Sequence, residues 1–217
     1  ILENVSGLAA GTHTVNVTYN GDASFNPKDF NGKTFTVKKN VDWKMNITTD
    51  EHPYGEYTTI TITLPDDVLA QNVTILIDGI KYVRPVNNHV ATLTLNNLTA
   101  GTHIANVTAG DSNHANKTQT SRPQIPKATP TIILTNNSNG DIIATVSGDA
   151  TGNVTFYIPG GEYTVNLTGG IATLTKDKLK IGTNGIIAIY NGDTNYNSVR
   201  NKTMVPVGKE NSTVNVT

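Results

Sequence analysis

Cysteine is absent from this 217-residue chain. No disulfide framework and no thiolate chemistry can be invoked, whatever the redox compartment. An excess of one charge sign is missing too: 16 Lys and Arg face 17 Asp and Glu, and the basic residues are scattered rather than clustered. That balance argues against nucleic acid or an anionic membrane as a partner. No apolar run approaches the roughly 20 residues a bilayer span requires, and no charged-then-apolar leader opens the sequence. Any export signal or anchor is therefore expected outside this segment. Glu, Leu and Ala are few, whereas Thr, Asn, Gly and Val abound, a balance that disfavours helix and suits strands joined by tight turns. The length suffices for two ordinary domains with cores of their own.

Internal repeats organise the chain. "LAAGTHTVNVTYNGDASFN" (8–26), "LTAGTHIANVTAGDSNHAN" (98–116) and "LKIGTNGIIAIYNGDTNYN" (179–197) share a Leu three residues before a Gly, an alternating run, then Gly-Asp. Upstream, "VATLTLNNL" (90–98) matches "IATLTKDKL" (171–179), and "QNVTILIDG" (71–79) matches "GNVTFYIPG" (152–160). The period is roughly 80 to 90 residues, too long for a solenoid repeat and suited to a small β-sandwich.

Alternation supplies the strands. In "TVNVTY", Val15, Val17 and Tyr19 fall on one face and Asn16 and Thr18 on the other. The same reading holds for "TTITITL", "VTILI", "ATLTL", "IIATV", "VTFYI" and "EYTVNL", punctuated by Gly-Asp, Asp-Gly, Gly-Gly and Pro-Gly pairs, with no convincing amphipathic helix. The last complete unit reads as seven strands, "TPTIIL" through "KTMVPV", and the middle one as a similar set from "WKMNIT" to "KTQTSRPQI". The expected fold is all-β: tandem immunoglobulin-like Greek-key β-sandwiches. The expected domains are 1–39 (the last strands of a repeat), 40–127 and 128–208 (full repeats) and 209–217 (the first strand of a further repeat). The partial ends are read as a segment cut from a longer array, with strand donation between copies as the alternative.

The segments "GTHTVNVTYNGDASFNP" and "GTNGIIAIYNGDTNYNS", with "ATLT…L" ahead of the second and a Lys-bearing linker after them, resemble the tandem bacterial-immunoglobulin-like repeats of large adhesin-like cell-surface proteins. The Asn/Thr-rich flavour is most similar to those of methanogenic archaea. The resemblance implies an extracellular, surface-displayed, non-catalytic stalk or adhesive segment. Its expected partners are neighbouring repeats, copies of itself, or a surface glycan or protein of another cell, with no cofactor, no nucleic acid and no membrane contact. The middle repeat departs from the pattern, with Ala109 and His114 where the other repeats carry aromatics.

Several constellations bear on chemistry. Asp193, Asn195 and Asn197 are spaced like the first ligands of a calcium loop, but Ser198 and Met204 stand where an EF-hand needs Gly and a bidentate Glu. The expectation is a turn, with Gly at positive φ and Asp capping its own backbone, after which Phe25 or Tyr196 enters the core. No metal site is expected.

Sequons stand at Asn4, Asn16, Asn46, Asn72, Asn97, Asn106, Asn116, Asn136, Asn153, Asn166, Asn201, Asn211 and Asn215. They are candidate glycosylation sites, although Asn and Thr two apart share a strand face, so solvent-facing positions generate such triplets by geometry. His13, His52, His89, His103 and His114 fall in turns or at strand starts without nucleophile partners, and Asp66 and Asp67 follow Pro65 in a turn, so no catalytic residue is assigned. Lys44 is the one candidate for an intramolecular isopeptide bond, which would require its burial. Trp43, Tyr54, Tyr57, Tyr82 and Tyr163 are the aromatics a glycan platform would use. Ile187 and Ile189 replace the outward polar residues of the other copies and are candidate interface residues.

Overall fold

The computed structural model describes residues 5–209. In chain order the strands are β1 (Gly11–Tyr19), β2 (Lys28–Val37), β3 (Asn46–Asp50), β4 (Thr58–Thr63), β5 (Asn72–Ile77), β6 (Ile80–Pro85), β7 (Val90–Leu95), β8 (Gly101–Thr102), β9 (Ala105–Ala109), β10 (Lys117–Ser121), β11 (Gln124–Ile125), β12 (Ile132–Asn136), β13 (Ile142–Val146), β14 (Asn153–Ile158), β15 (Gly161–Asn166), β16 (Ile171–Leu174), β17 (Gly182–Tyr190) and β18 (Val199–Val207). The only helical turn among the described residues is 3-10, Lys176–Lys178, so none is long and apolar enough to cross a membrane. All strand pairs are antiparallel. The chain divides into two compact units. One comprises Ile1–Asp50, Thr58–Leu95 and His103–Pro123, the other Glu51–Tyr57, Asn96–Thr102 and Gln124–Thr217.

The first unit holds a complete seven-strand sandwich, a three-strand sheet β3-β4-β7 and a four-strand sheet β10-β9-β5-β6. Every second residue of β4 and β9 is buried, as a half-buried strand requires. Ile60, Ile62 and Leu93 on one sheet and Val73, Ile75, Ala105 and Val107 on the other supply the core. Asp78 and Gly79 join β5 to β6 with φ of 48° and 85°, the left-handed pair that a two-residue hairpin turn needs. The first strand is shorter than its sequence suggests. Trp43 and Met45 are buried, but pairing starts only at Asn46. The same unit contains the two-stranded hairpin β1-β2.

The second unit repeats the plan with β12-β13-β16 and β15-β14-β17-β18, together with the short pair β8-β11. Its core joins Ile142, Ala144, Ala172 and Leu174 to Val154, Phe156, Ile186, Ala188 and Tyr190. Asn184 is buried yet satisfied, its side-chain amide donating to the carbonyls of Lys180 and Gly182 while its oxygen accepts from Lys180 N–H. The Tyr190 hydroxyl is enclosed and, among the described residues, meets no hydrogen-bond partner. Burial and, second, the neighbouring Asp193 carboxylate push its pKa upward.

Because an unpaired buried hydroxyl costs on the order of 1–3 kcal/mol, Tyr190→Phe is expected to be neutral or stabilising in urea denaturation. Phe156→Ala should remove about 3–5 kcal/mol from the same sandwich. A clear loss on Tyr190→Phe would show that the hydroxyl is hydrogen-bonded after all.

Candidate functional site

The recurring Gly-Asp segments close a loop whose Asp carboxylate faces inward onto backbone amides. In the last copy, Asp193 Oδ1 accepts the N–H groups of Asn195 and Tyr196, both at 2.8 Å. Its Oδ2 accepts Thr151 N–H at 2.8 Å and the Thr151 hydroxyl at 2.9 Å. Asp193 N–H donates to Tyr196 O at 3.1 Å, closing the turn. Gly192 is required twice over: its φ is +80°, and a Cβ there would lie 2.9 Å from Tyr196 O. Four donors occupy the four acceptor directions of one carboxylate, leaving it spent as a metal ligand. Among the described residues no group of three or more His, Asp or Glu converges.

The same loop grips the linker. Lys127 Nζ donates to Asp193 O at 2.5 Å, and Ala128 forms a parallel bridge with Tyr196, donating to Asn195 O at 2.9 Å and accepting from Asn197 N–H at 2.8 Å. Asn195 Oδ1 accepts Ala100 N–H at 3.0 Å. Asp149 accepts hydrogen bonds from the hydroxyls of Tyr196 and Tyr54, each at 2.7 Å, and the two rings meet edge to face at 5.5 Å.

The first unit contains an equivalent latch. Lys39 Nζ donates to Asp111 O at 2.7 Å, and Ala10 N–H donates to Asn113 Oδ1 at 2.9 Å. Asn40 bridges His114 in parallel, donating to Asn113 O at 2.8 Å and accepting from Ala115 N–H at 2.9 Å. Asp111 again accepts the N–H groups two and three residues on, Asn113 and His114, and Leu69 N–H from a neighbouring loop. His114 takes the place of Tyr196. It is buried, its ring nitrogens face Asp111 at 2.9 Å and Asp67 at 3.3 Å, and its ring meets Trp43 edge-on. Trp43 in turn donates to Ala115 O.

Electrostatics follow from this geometry. Burial works against charge on Asp193, but the amides and hydroxyl aimed at it prevail and hold its pKa at about 2. Asp111 is likewise held at about 2 against burial by the N–H groups of Leu69, His114 and Asn113. In the first copy Asp22 makes the same turn, accepting Ser24 and Phe25 N–H, and its other oxygen accepts the Tyr19 hydroxyl at 2.7 Å. The expectation that an aromatic enters the core after each Gly-Asp holds for Tyr196, half-buried against the third-repeat core, and fails for Phe25, which is exposed.

The remaining candidates disperse. Lys44 is exposed and lies between the buried Trp43 and Met45, so the burial that an isopeptide bond needs is missing. His103 is buried against Asp78, whereas its equivalent His13 stacks on Phe35 at 5.4 Å and faces Ala9 O. Asp67 meets His114, and Pro65–Val68 is a turn. Tyr57 is exposed, Tyr82 lies beneath Arg84, and Tyr163 packs against the third-repeat core. Ile187 is exposed beside Tyr157 and Met204 on a groove of about 680 Å³, and Ile189 is half-buried.

Among the sequons, Asn16, Asn46, Asn72, Asn97, Asn116, Asn136 and Asn166 are exposed. Asn201 uses its amide nitrogen on Ile132 O, and Asn106 and Asn153 are half-buried and accept hydrogen bonds. Asn4, Asn211 and Asn215 lie outside the described residues. The latch itself was not foreseen in the sequence. Its signal is the co-occurrence of a linker Lys, Gly-Asp-x-Asn and an Ala-Gly at each repeat junction.

Residues 127–208 match the bacterial Ig-like domain (group 3) family. Solved structures similar to the chain include the fibronectin(III)-like modules of Clostridium thermocellum CbhA (14% identity, TM-score 0.32, covering 79% of this chain and 100% of that one). A Ca2+-stabilized adhesin with which an Antarctic bacterium binds ice is similar at 16% identity and TM-score 0.34, covering 91% of this chain and 56% of that one. A protein of Corynebacterium diphtheriae described as membrane anchored is similar at 14% identity and TM-score 0.34, covering 92% and 68% respectively. No curated protein matches the sequence.

The carboxylate pKa values set a pH dependence. A folded pKa of about 2 against the ordinary 3.8 means that each latch Asp contributes stability fully present above pH 4 and lost as pH falls toward 2. The contribution is on the order of 2 kcal/mol each. Asp193→Asn should lower stability at pH 7 by about that amount and flatten the acid limb between pH 4 and 2, read by thermal unfolding across pH. Millimolar calcium should leave the melting temperature within about 1 °C of its metal-free value, because a ligand that binds only the folded state would raise it.

Proposed function

We propose that this chain is an extracellular, non-catalytic stalk segment of a large repetitive cell-surface protein, holding an adhesive element away from the cell. The observation that supports it most is the latch built twice with the same donors and acceptors, Lys39 with Asp111 and Lys127 with Asp193. A linker bonded through its backbone and flanked by a side-chain cap on each side stays docked on its own unit, and a segment whose work is extension is served by that property. Partners are neighbouring repeats and copies of the same protein, with a surface glycan or protein of another cell bound elsewhere. Sugars on the exposed Asn16, Asn46, Asn72, Asn97, Asn116, Asn136 and Asn166 would keep the outward faces from sticking and from proteolysis. The group of Tyr157, Ile187 and Met204 favours a second reading in which the third repeat also contacts another copy.

With spin labels at Glu56 and Glu162, both in the second unit, the unmodified chain should give one narrow distance distribution that reports whether 51–57 and the linker stay docked on the sandwich. Lys127→Ala with Asn195→Ala should broaden it roughly twofold or more, since few other bonds hold a short linker. An unchanged width would remove the stalk reading's mechanical basis. Peptide mapping of protein from its native source should find sugar on several of these exposed Asn residues. Ile187→Asn with Ile189→Thr should shift the sedimentation coefficient if the second reading holds.

A further inference from the structure

The outward face of the sheet β15-β14-β17-β18 lacks the polar pairs that its sibling in the second repeat keeps. There, the face bonds to itself: the Thr108 and Thr118 hydroxyls lie 2.7 Å apart, and Thr120 donates to Asn106 at 2.6 Å. At the four equivalent places in the strand pairing, the third repeat carries Ile189 opposite Arg200 and Ile187 opposite Lys202. Neither cation forms an ion pair among the described residues. Beside them, Tyr157, Ile187 and Met204 are 40%, 41% and 67% exposed and line the groove of about 680 Å³. Gly185 keeps that groove open where the second repeat carries Ile104, since a Cβ there would already touch Met204 Sδ at 3.4 Å. Lys202 lines both this groove and an adjoining hollow of about 390 Å³ that Arg200 also lines. The only carboxylate in these four strands, Glu162, lies on β15, the strand farthest from the two cations. Two unpaired cations next to apolar surface fit a partner that presents an apolar side chain accompanied by carboxylates.

The second repeat carries such a feature. Leu69 is 70% exposed directly after the turn from Pro65 to Val68, and Asp66 and Asp67 of that turn are exposed too. The equivalent of Leu69 in the third repeat is Thr151, because the N–H of each donates to Oδ2 of its latch aspartate, Asp111 or Asp193. Thr151 adds its hydroxyl to that carboxylate. Leu69 gives up this bond and gains no burial in return, so its side chain does nothing for its own sandwich. Asp67 uses one oxygen on His114, and Asp66 has no partner among the described residues. Tyr57 is another exposed apolar residue, but its neighbouring acid, Glu56, faces His52 at 3.6 Å.

We infer that Leu69 of one copy seats in the groove of another, against Tyr157, Ile187 and Met204, while Asp66 and Asp67 meet Arg200 and Lys202. Knob and groove are different patches of one chain, so the contact is heterologous: copies join head to tail, each keeping a knob or a groove for the next, rather than as a two-fold pair. A contact built on one leucine and two ion pairs is small and reversible. The inference rests on the reading that the third repeat touches another copy, and it names the surface that is touched.

Sedimentation velocity of the chain produced without sugar tests it, up to roughly millimolar concentration, where small contacts of this kind form. The unmodified chain should associate as its concentration rises. Leu69→Thr, which installs the residue its sibling repeat carries, should weaken association roughly tenfold or more, and Tyr57→Asn should leave it unchanged. Asp66→Lys and Lys202→Glu should each weaken association when alone, because like charges then meet. An equimolar mixture of the two should recover it, since each knob again finds a groove of opposite sign. All four sites are exposed, so the thermal unfolding of every variant should stay that of the unmodified chain. Loss of association with Ile187→Asn but not with Leu69→Thr would keep the third repeat as a contact and overturn the proposed occupant. Failure of the mixture to recover would overturn it as well. Absence of association at every concentration would overturn both the inference and the reading beneath it.

Discussion

An aspartate that accepts the amides two and three residues ahead of itself is the interaction on which the rest of this structure depends. The turn it makes reverses the chain between two strands, presents the next Asn for capping, and exposes its own carbonyl to the linker lysine. Gly before it is forced by the close approach of the returning backbone. A turn that looks like a metal loop by spacing is thereby a backbone receptor by chemistry, with its charge consumed by N–H donors rather than held for an ion.

Polar strand faces and the latch answer the same physical problem. Small sandwiches with few large residues have modest cores, and the chain compensates by satisfying nearly every buried polar group it creates. Asn184, Asp111 and Asp193 are each surrounded by donors or acceptors. The Tyr190 hydroxyl is the exception, retained at a position where the ring fills the core between the two sheets. His114 and Tyr196 show that the latch accepts different side chains at its hinge position, provided that each finds a carboxylate, Asp111 and Asp67 in one case and Asp149 in the other. That tolerance lets repeats diverge in sequence while the junction keeps its bonds.

Where reading the sequence failed, it failed for tertiary reasons. Phe25 has the spacing of Tyr196 and the same turn before it, but among the described residues the hairpin that carries it is a two-stranded sheet and the ring stays exposed. Lys44 sits in an apolar-looking stretch ahead of the first paired strand, and the packing of Trp43 and Met45 into the core leaves it outward.

Alternation, turn residues and the repeat period determined the all-β class, the seven strands per sandwich and the two-residue hairpin at Asp78 and Gly79, because these are local properties of pleat and φ that a residue carries wherever it goes. Only the tertiary structure decided that Lys39 and Lys127 each close onto an aspartate carbonyl 72 and 66 residues away. Contacts at such sequence separations depend on which surfaces the fold brings together, and no spacing within a single strand encodes them.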